Sequence, residues 1–166
     1  EDGIFPTPDG KARFVNTVYK PVAEPRESRF PFSLTTGRLR DQWHGMTRTG
    51  TAGRLFAHSP EPCVQMNPQD AQRLGLQDGT LADIRSAGGH VQAQVHITAD
   101  MMPGVVSLPH GWGHDAPGAQ MRVAAERPGA NVNALLDDQL RDPLSGNAVL
   151  GGGAMTRRAS TSQMIL

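Results

Sequence analysis

Between residues 90 and 98 the chain alternates without a break. Val91, Ala93, Val95 and Ile97 fall on one side of an extended backbone, and Gln92, Gln94, His96 and Thr98 on the other. A period of two is the signature of a strand with one face in a core and one in water, and it assigns His96 to the wet face. Shorter apolar runs at residues 32–35, 63–66, 80–86 and 105–108 predict further strands, each bounded by Gly, Pro or Asp-Gly turn signals. One stretch breaks the extended pattern. In residues 67–75, Asn67 can cap a helix, Pro68 suits the first helical position, Asp70 lies in the electropositive first turn and Gly75 suits a left-handed exit. Ala71 and Leu74 share one face of that helix, whose part is structural. Short strands separated by regular turns, with short helices between them, predict a mainly β domain folded as a closed or nearly closed barrel.

The two ends lack this regularity. Residues 5–14 place Asp9-Gly10 between short apolar segments, as a hairpin would. Residues 21–31 are crossed by Pro21, Pro25 and Pro31 and read as a linker. The start at Glu1-Asp-Gly-Ile, with no methionine, reads as a cut within a larger chain. From Gly151 the triple glycine and a Ser/Thr-rich stretch to Leu166 carry no periodicity and predict a flexible tail. The expected organisation is therefore a hairpin and linker in residues 1–31, a barrel in 32–150 and a tail in 151–166.

Composition narrows the function classes. Lys plus Arg and Asp plus Glu number 16 each and aromatics make up 5%, so the chain offers neither a charged funnel nor a stacking platform for nucleic acid. A single cysteine, Cys63, precludes an internal disulfide and permits a cytosolic setting. No apolar run has the length of a membrane helix. Locally the charge is uneven: residues 36–54 hold Arg38, Arg40, Arg48 and Arg54 against Asp41 alone, which suits an anion held at one site.

That local excess lies in Leu34-Thr-Thr-Gly-Arg-Leu-Arg-Asp-Gln-Trp-His-Gly-Met-Thr-Arg-Thr-Gly50. Thr35, Thr36, Thr47 and Thr49 can donate to oxyanions, and the arginines offer forked donors. Gly37 would allow close backbone approach or a positive φ. Trp43 and His44 supply flat surfaces for a heteroaromatic ring. A phosphate-bearing, ring-containing ligand suits this mixture, although a strand end running into a polar surface turn has a similar composition. Pro109-His-Gly-Trp-Gly-His114 follows the buried 105–108 run and reads as a second pocket wall. Its glycines argue against the helix that would align His110 and His114 on a metal. Asn131 and Asn133 match the amide-like edges of a pterin or guanine, or else cap a short helical segment at 134–140. Asp142-Pro143 starts a turn that carries Asn147.

The run Thr-Gly-Arg-Leu-Arg-Asp-Gln-Trp-His-Gly-Met-Thr-Arg-Thr-Gly, ending at Gly50, resembles the opening of the C-terminal cofactor-binding domain of bacterial molybdopterin oxidoreductases. Its Arg-Asp-Gln-Trp-His and Met-Thr-Arg-Thr segments are most similar to assimilatory nitrate reductases. The loop Gly111-Trp-Gly-His114 is more similar to formate dehydrogenase-like relatives. The resemblance extends over residues 5–150. It implies a six-stranded double-psi β-barrel, as in domain 4 of formate dehydrogenase and dimethylsulfoxide reductase, and a cofactor, molybdenum bis(molybdopterin guanine dinucleotide). It implies contacts from Thr36, Gly37, Arg38, Trp43, His44, Thr47, Arg48, His110, Trp112, Asn133 and Asn147. Upstream domains of the same polypeptide would bring the metal-ligating side chain and a 4Fe–4S cluster, and an electron-donor protein would complete a cytoplasmic nitrate reductase. This chain alone would then catalyse nothing. A free-standing barrel that binds a protein or peptide is the reading from a different class.

Overall fold

In a computed structural model, which describes residues 3–118, 121–149 and 151–159, six strands close into one barrel. They are β1 (Phe32–Gly37), β2 (Cys63–Met66), β3 (Leu81–Arg85), β4 (His90–Ile97), β5 (Val105–Pro109) and β6 (Gly151–Arg158). Around the barrel the order is β1-β5-β2-β4-β3-β6. Two neighbouring pairs are parallel: β1 with β5, and β2 with β4. This is the mainly β, double-psi barrel architecture expected from the sequence.

The alternation in β4 is realised as written. Ala93 and Val95 are buried while Gln92, Gln94 and His96 are exposed. Every strand adds side chains to one core, in which Phe32, Val64, Met66, Ala82, Ile84, Val106, Leu108 and Ala154 are fully buried. A buried Ile or Leu is worth about 1.5–3 kcal/mol relative to an exposed one, so this interior dominates stability. Helix α1 (Pro68–Leu74) forms as its caps require. Asn67 Oδ1 accepts from Gln69 N at 2.9 Å, and Gly75 takes φ +66°. Asp70, only 5% exposed, accepts from Gly104 N at 2.6 Å and Arg73 Nη2 at 3.0 Å, which fastens the β4–β5 turn to α1.

Three expectations are corrected. Residues 151–158 are strand β6, not a flexible tail: Phe32 pairs with Ala154 on one side and Ile84 with Thr156 on the other, so β6 closes the barrel. Residues 160–166 lie outside the described residues. The Asp9-Gly10 turn forms, with Phe5 N donating to Gly10 O at 3.0 Å. No strand flanks it among the described residues, and Phe14 is 97% exposed. A lone two-stranded ribbon has too little burial to hold itself. The helical segment expected at 134–140 is a single 3-10 turn, Val132–Leu135.

Register decides where the connections emerge. Gly37 at the end of β1 lies opposite Pro109 at the end of β5, and Gly151 at the start of β6 lies opposite Thr35. Arg85 pairs with His90 across the β3–β4 hairpin, and Cys63 starts β2 parallel to β4. The described residues of 38–62, 86–89 and 110–149 therefore share one mouth of the barrel, and residues 67–80 and 98–104 share the other.

Candidate functional site

All the candidate residues lie at the first mouth or at the strand ends that open onto it. Thr36, Gly37 and Arg38 sit where β1 ends, and Trp43, His44, Thr47 and Arg48 sit on the 38–62 connection. His110, Trp112, Asn133 and Asn147 sit on the 110–150 connection. The first and last of these sets are far apart in sequence, and the parallel β1–β5 pair brings them together.

At the centre are Thr36, Arg38, His44 and His110. His110 N donates to Gly37 O at 3.1 Å, and His110 Nδ1 lies 3.3 Å from Thr36 Oγ1. The His44 and His110 rings stack with centroids 6.1 Å apart and planes 20° from parallel. Partial burial lowers the His110 pKa, and the neighbouring Arg38 and His44 lower it further. Burial does so by stripping water from the charged ring, and the neighbours do so by repelling its positive charge. Gly111, at φ +97°, allows the second connection to press against the His44 carbonyl, since a Cβ built there would run into that oxygen.

Outward from the centre, Trp43 is 47% exposed, meets the edge of His44 at 4.9 Å and carries the Arg48 guanidinium 5.0 Å above its ring. Arg38, His44, Thr47 and Arg48 are exposed, so their donors face the mouth's solvent. Arg40 differs, because its fork is held by Asp41 in two bonds of 2.9 Å. Donors and flat rings within one cationic patch fit a phosphate-bearing heteroaromatic group, and the close-packed Gly111 backbone fits a shaped cradle.

Other candidates take different parts. Gly37 has no positive φ. It stays in the strand, where a Cβ would meet Ser107 Oγ at 3.3 Å. Trp112 turns inward: it is 4% exposed and packs edge-on against Phe56 with centroids 5.8 Å apart, so its ring is core and not an open wall. Asn131 caps the 3-10 turn by accepting from Asn133 N at 3.0 Å, and it packs against Gly113. Asn133 is exposed. The 3-10 turn that holds it rests on the β3–β4 hairpin at the same mouth, where Ser86 Oγ donates to Leu135 O at 2.6 Å. Asn147 is exposed in the turn closed by Asp142, whose Oδ1 accepts from Ser145 N at 2.7 Å and Ser145 Oγ at 2.8 Å. Those bonds hold the Asp142 carboxyl below its usual pKa. Among the described residues no hydrogen bond or ring contact joins Asn133 or Asn147 to Arg38 or His110.

A group that the sequence pattern did not reveal lies beneath the site. Met46, Phe56, Trp112 and Ala124 form a second buried cluster, separate from the barrel interior. Helix α2 (Arg122–Glu126) joins it through Ala124 N, which donates to Gly50 O at 2.9 Å. Two cavities of about 230 and 300 Å³ lie where residues 24–30 cross the barrel wall beside β6 and the β3–β4 hairpin, lined by none of the candidate residues.

The sequence profile of the molydopterin dinucleotide binding domain matches residues 32–151. The chain is 43% identical over 104 residues to a nitrate reductase of Klebsiella oxytoca, a match covering 63% of this chain and 12% of that protein. It is 35% identical over 105 residues to the F420-dependent formate dehydrogenase subunit alpha of Methanocaldococcus jannaschii, covering 63% of this chain and 16% of that one. The chain thus spans under a fifth of the length of either relative. Among solved structures, acetylene hydratase from Pelobacter acetylenicus superposes with a TM-score of 0.63 at 24% identity, over 78% of this chain and 18% of that one. At that identity the likeness is one of fold.

Proposed function

Because the chain belongs to the molydopterin dinucleotide binding domain family, we propose that its loop-bearing mouth holds molybdenum bis(molybdopterin guanine dinucleotide) within an enzyme that reduces nitrate to nitrite. When bound, that group supplies the metal centre for oxygen transfer and two-electron exchange. This chain's share is to bind, orient and shield. Arg38, with Thr36, His44 and His110 beside it, would meet pyrophosphate oxygens, and Thr47 and Arg48 would extend the donor set. The exposed face of Trp43 would stack on a ring, and the Asn133 and Asn147 amides would read ring edges. Gly37 and Trp112 would act through backbone and packing. The rest of the enzyme would bring upstream domains with the metal-ligating side chain and a 4Fe–4S cluster, and an electron-donor protein in the cytosol would reduce it.

The observation that supports this reading best is the convergence of Arg38, His44, His110 and Thr36 at one barrel mouth, from strands more than 60 residues apart in sequence. The nitrate assignment leans on the 43% identical relative. A formate dehydrogenase-like enzyme is the second reading, favoured by the 35% identical relative and the Gly111-Trp-Gly-His114 loop.

Titrating the chain with the guanine dinucleotide form of the pterin tests the site. A charge-assisted hydrogen bond is worth about 1.5–3 kcal/mol, so Arg38→Ala should weaken binding by roughly tenfold or more. Asn133→Ala should weaken it by less. No binding by the parent, or equal affinity in parent and both variants, would reject the assignment and favour a barrel that binds a protein or peptide.

A further inference from the structure

Met46 sits in a polar, exposed turn, yet it is completely buried, and it holds φ +63° without being a glycine. Two residues earlier His44 also has positive φ, at +38°. Left-handed backbone is strained for a residue that carries a side chain, so the turn persists only because its surroundings hold it. The surroundings are visible. Met46 O accepts from Gly50 N at 2.7 Å and from Thr49 N at 3.1 Å, and Met46 N donates to Trp43 O at 2.6 Å. Its side chain enters the cluster of Phe56, Trp112 and Ala124, drawn from both long connections. A Cβ on Gly50 would meet Met46 O at 2.8 Å and Met121 Cβ at 2.9 Å, so the turn lies flush against the approach to α2.

We propose that Met46 is a positioning residue for the mouth, a buried peg that ties the 38–62 connection to the 110–150 connection and thereby sets His44 against His110. Burial of an unbranched thioether offsets the backbone strain it maintains. Without the peg, only the backbone bonds of Met46 oppose the strain of the left-handed turn. It relaxes, the His44 carbonyl leaves Gly111, and the two rings part. The barrel interior is a separate cluster and stays intact. The inference rests on the cofactor reading for its functional meaning, but its geometric content can be tested without ligand.

The experiment uses the chain with Met46→Leu, Met46→Ala and Met46→Gln, read by NMR. In the parent, ring protons of His44 and His110 should show a mutual nuclear Overhauser effect. In Met46→Ala and Met46→Gln, which keep the strained backbone and lose the apolar anchor, that effect should vanish and the His110 titration midpoint should rise, while strand amide shifts stay unchanged. Met46→Leu should behave as the parent. If Met46→Ala does not fold, Met46→Gln, which keeps the length of the side chain, reports the same two quantities. A retained ring–ring effect with an unmoved midpoint in a folded Ala or Gln variant overturns the proposal, because a merely stabilising residue would lower the melting temperature and leave both alone. With guanosine diphosphate as probe, affinity should fall tenfold or more in Met46→Ala and persist in Met46→Leu. If the parent does not bind this probe but the histidine readouts move, the positioning role stands and the cofactor reading fails.

Discussion

Gly111→Ala tests whether the two long connections are truly in contact. Gly111 has φ +97°, so any side chain there carries roughly 1–2 kcal/mol of backbone strain. A Cβ would also fall on the His44 carbonyl oxygen, which is backbone and cannot rotate away. Clearing it requires the connections to part. That loosens the Thr36–His110 contact, worth about 1 kcal/mol, and the packing of Met46 against Trp112, worth about 1–2 kcal/mol. The expected total is about 3–5 kcal/mol. Gly79→Ala is the control: φ is +74°, and a Cβ there meets nothing within 4 Å, so only the strain of about 1–2 kcal/mol applies. Urea unfolding of parent and both variants, followed by strand circular dichroism with slopes compared, measures the difference. If Gly111→Ala costs no more than Gly79→Ala, the connections are not held together and the argument for a preformed mouth fails.

Other outcomes follow from particular contacts. The His110 pKa is lowered in the folded chain, so the unfolded chain binds its proton more tightly. Stability should therefore be undiminished above the ordinary imidazole pKa of about 6.5 and fall as pH drops below it, until the folded-state pKa is passed. His110→Gln should flatten that part of a urea-midpoint profile taken from pH 7.5 to 5. Among the described residues Thr156 Oγ1 is buried without a partner, and Thr156→Val should raise stability by about 1 kcal/mol, read as a higher melting temperature. Asp70→Ala leaves Gly104 N without its acceptor and should cost about 1–3 kcal/mol. Yet it should leave the His44–His110 ring contact intact, because Asp70 serves the opposite mouth.

The barrel strands β1 to β5 were legible because each is a short apolar run between turn residues, with clean alternation in β4, and both signals are local. Helix α1 was legible for the same reason, since Asn67, Pro68 and Gly75 act within a few residues of themselves. β6 was not, because Gly151-Gly-Gly153 offers no alternation to read. What makes it a strand is pairing with β1 and β3, whose partners lie about 70 to 120 residues away in sequence. Crowding bears on Gly153, where a Cβ would meet Phe30 Cβ at 3.1 Å, whereas one on Gly152 would meet only the movable end of the Glu24 side chain. In the site, the residue types of the 34–50 run pointed to an anion-binding mouth, but burial could not be read. Trp112 looked like a ligand platform because an aromatic residue among glycines has no period to assign it. Met46 was an apolar residue in a polar turn, and that single mismatch was the available clue to the cluster beneath.

The two mouths are built by different means, and that difference explains where the chemistry can sit. At the far mouth, short turns are fixed by side chains bonding directly to backbone. Asn67 Nδ2 donates to Met101 O at 2.7 Å, Asp78 Oδ1 accepts from Ile97 N at 2.7 Å, and Asp70 holds Gly104. These bonds fix the turns, while Gln69, Gln72, Gln77 and Asp100 stay exposed beside them. At the near mouth, the long connections are held by a small apolar cluster of their own together with bonds such as Gln42 Nε2 to Leu55 O at 3.2 Å and Ser86 Oγ to Leu135 O at 2.6 Å. Arg38, His44, Thr47 and Arg48 remain exposed on that frame. Preorganised donors of this kind lose little freedom when an anion arrives. On the proposed reading, affinity for an anion should track whether the cluster beneath is intact.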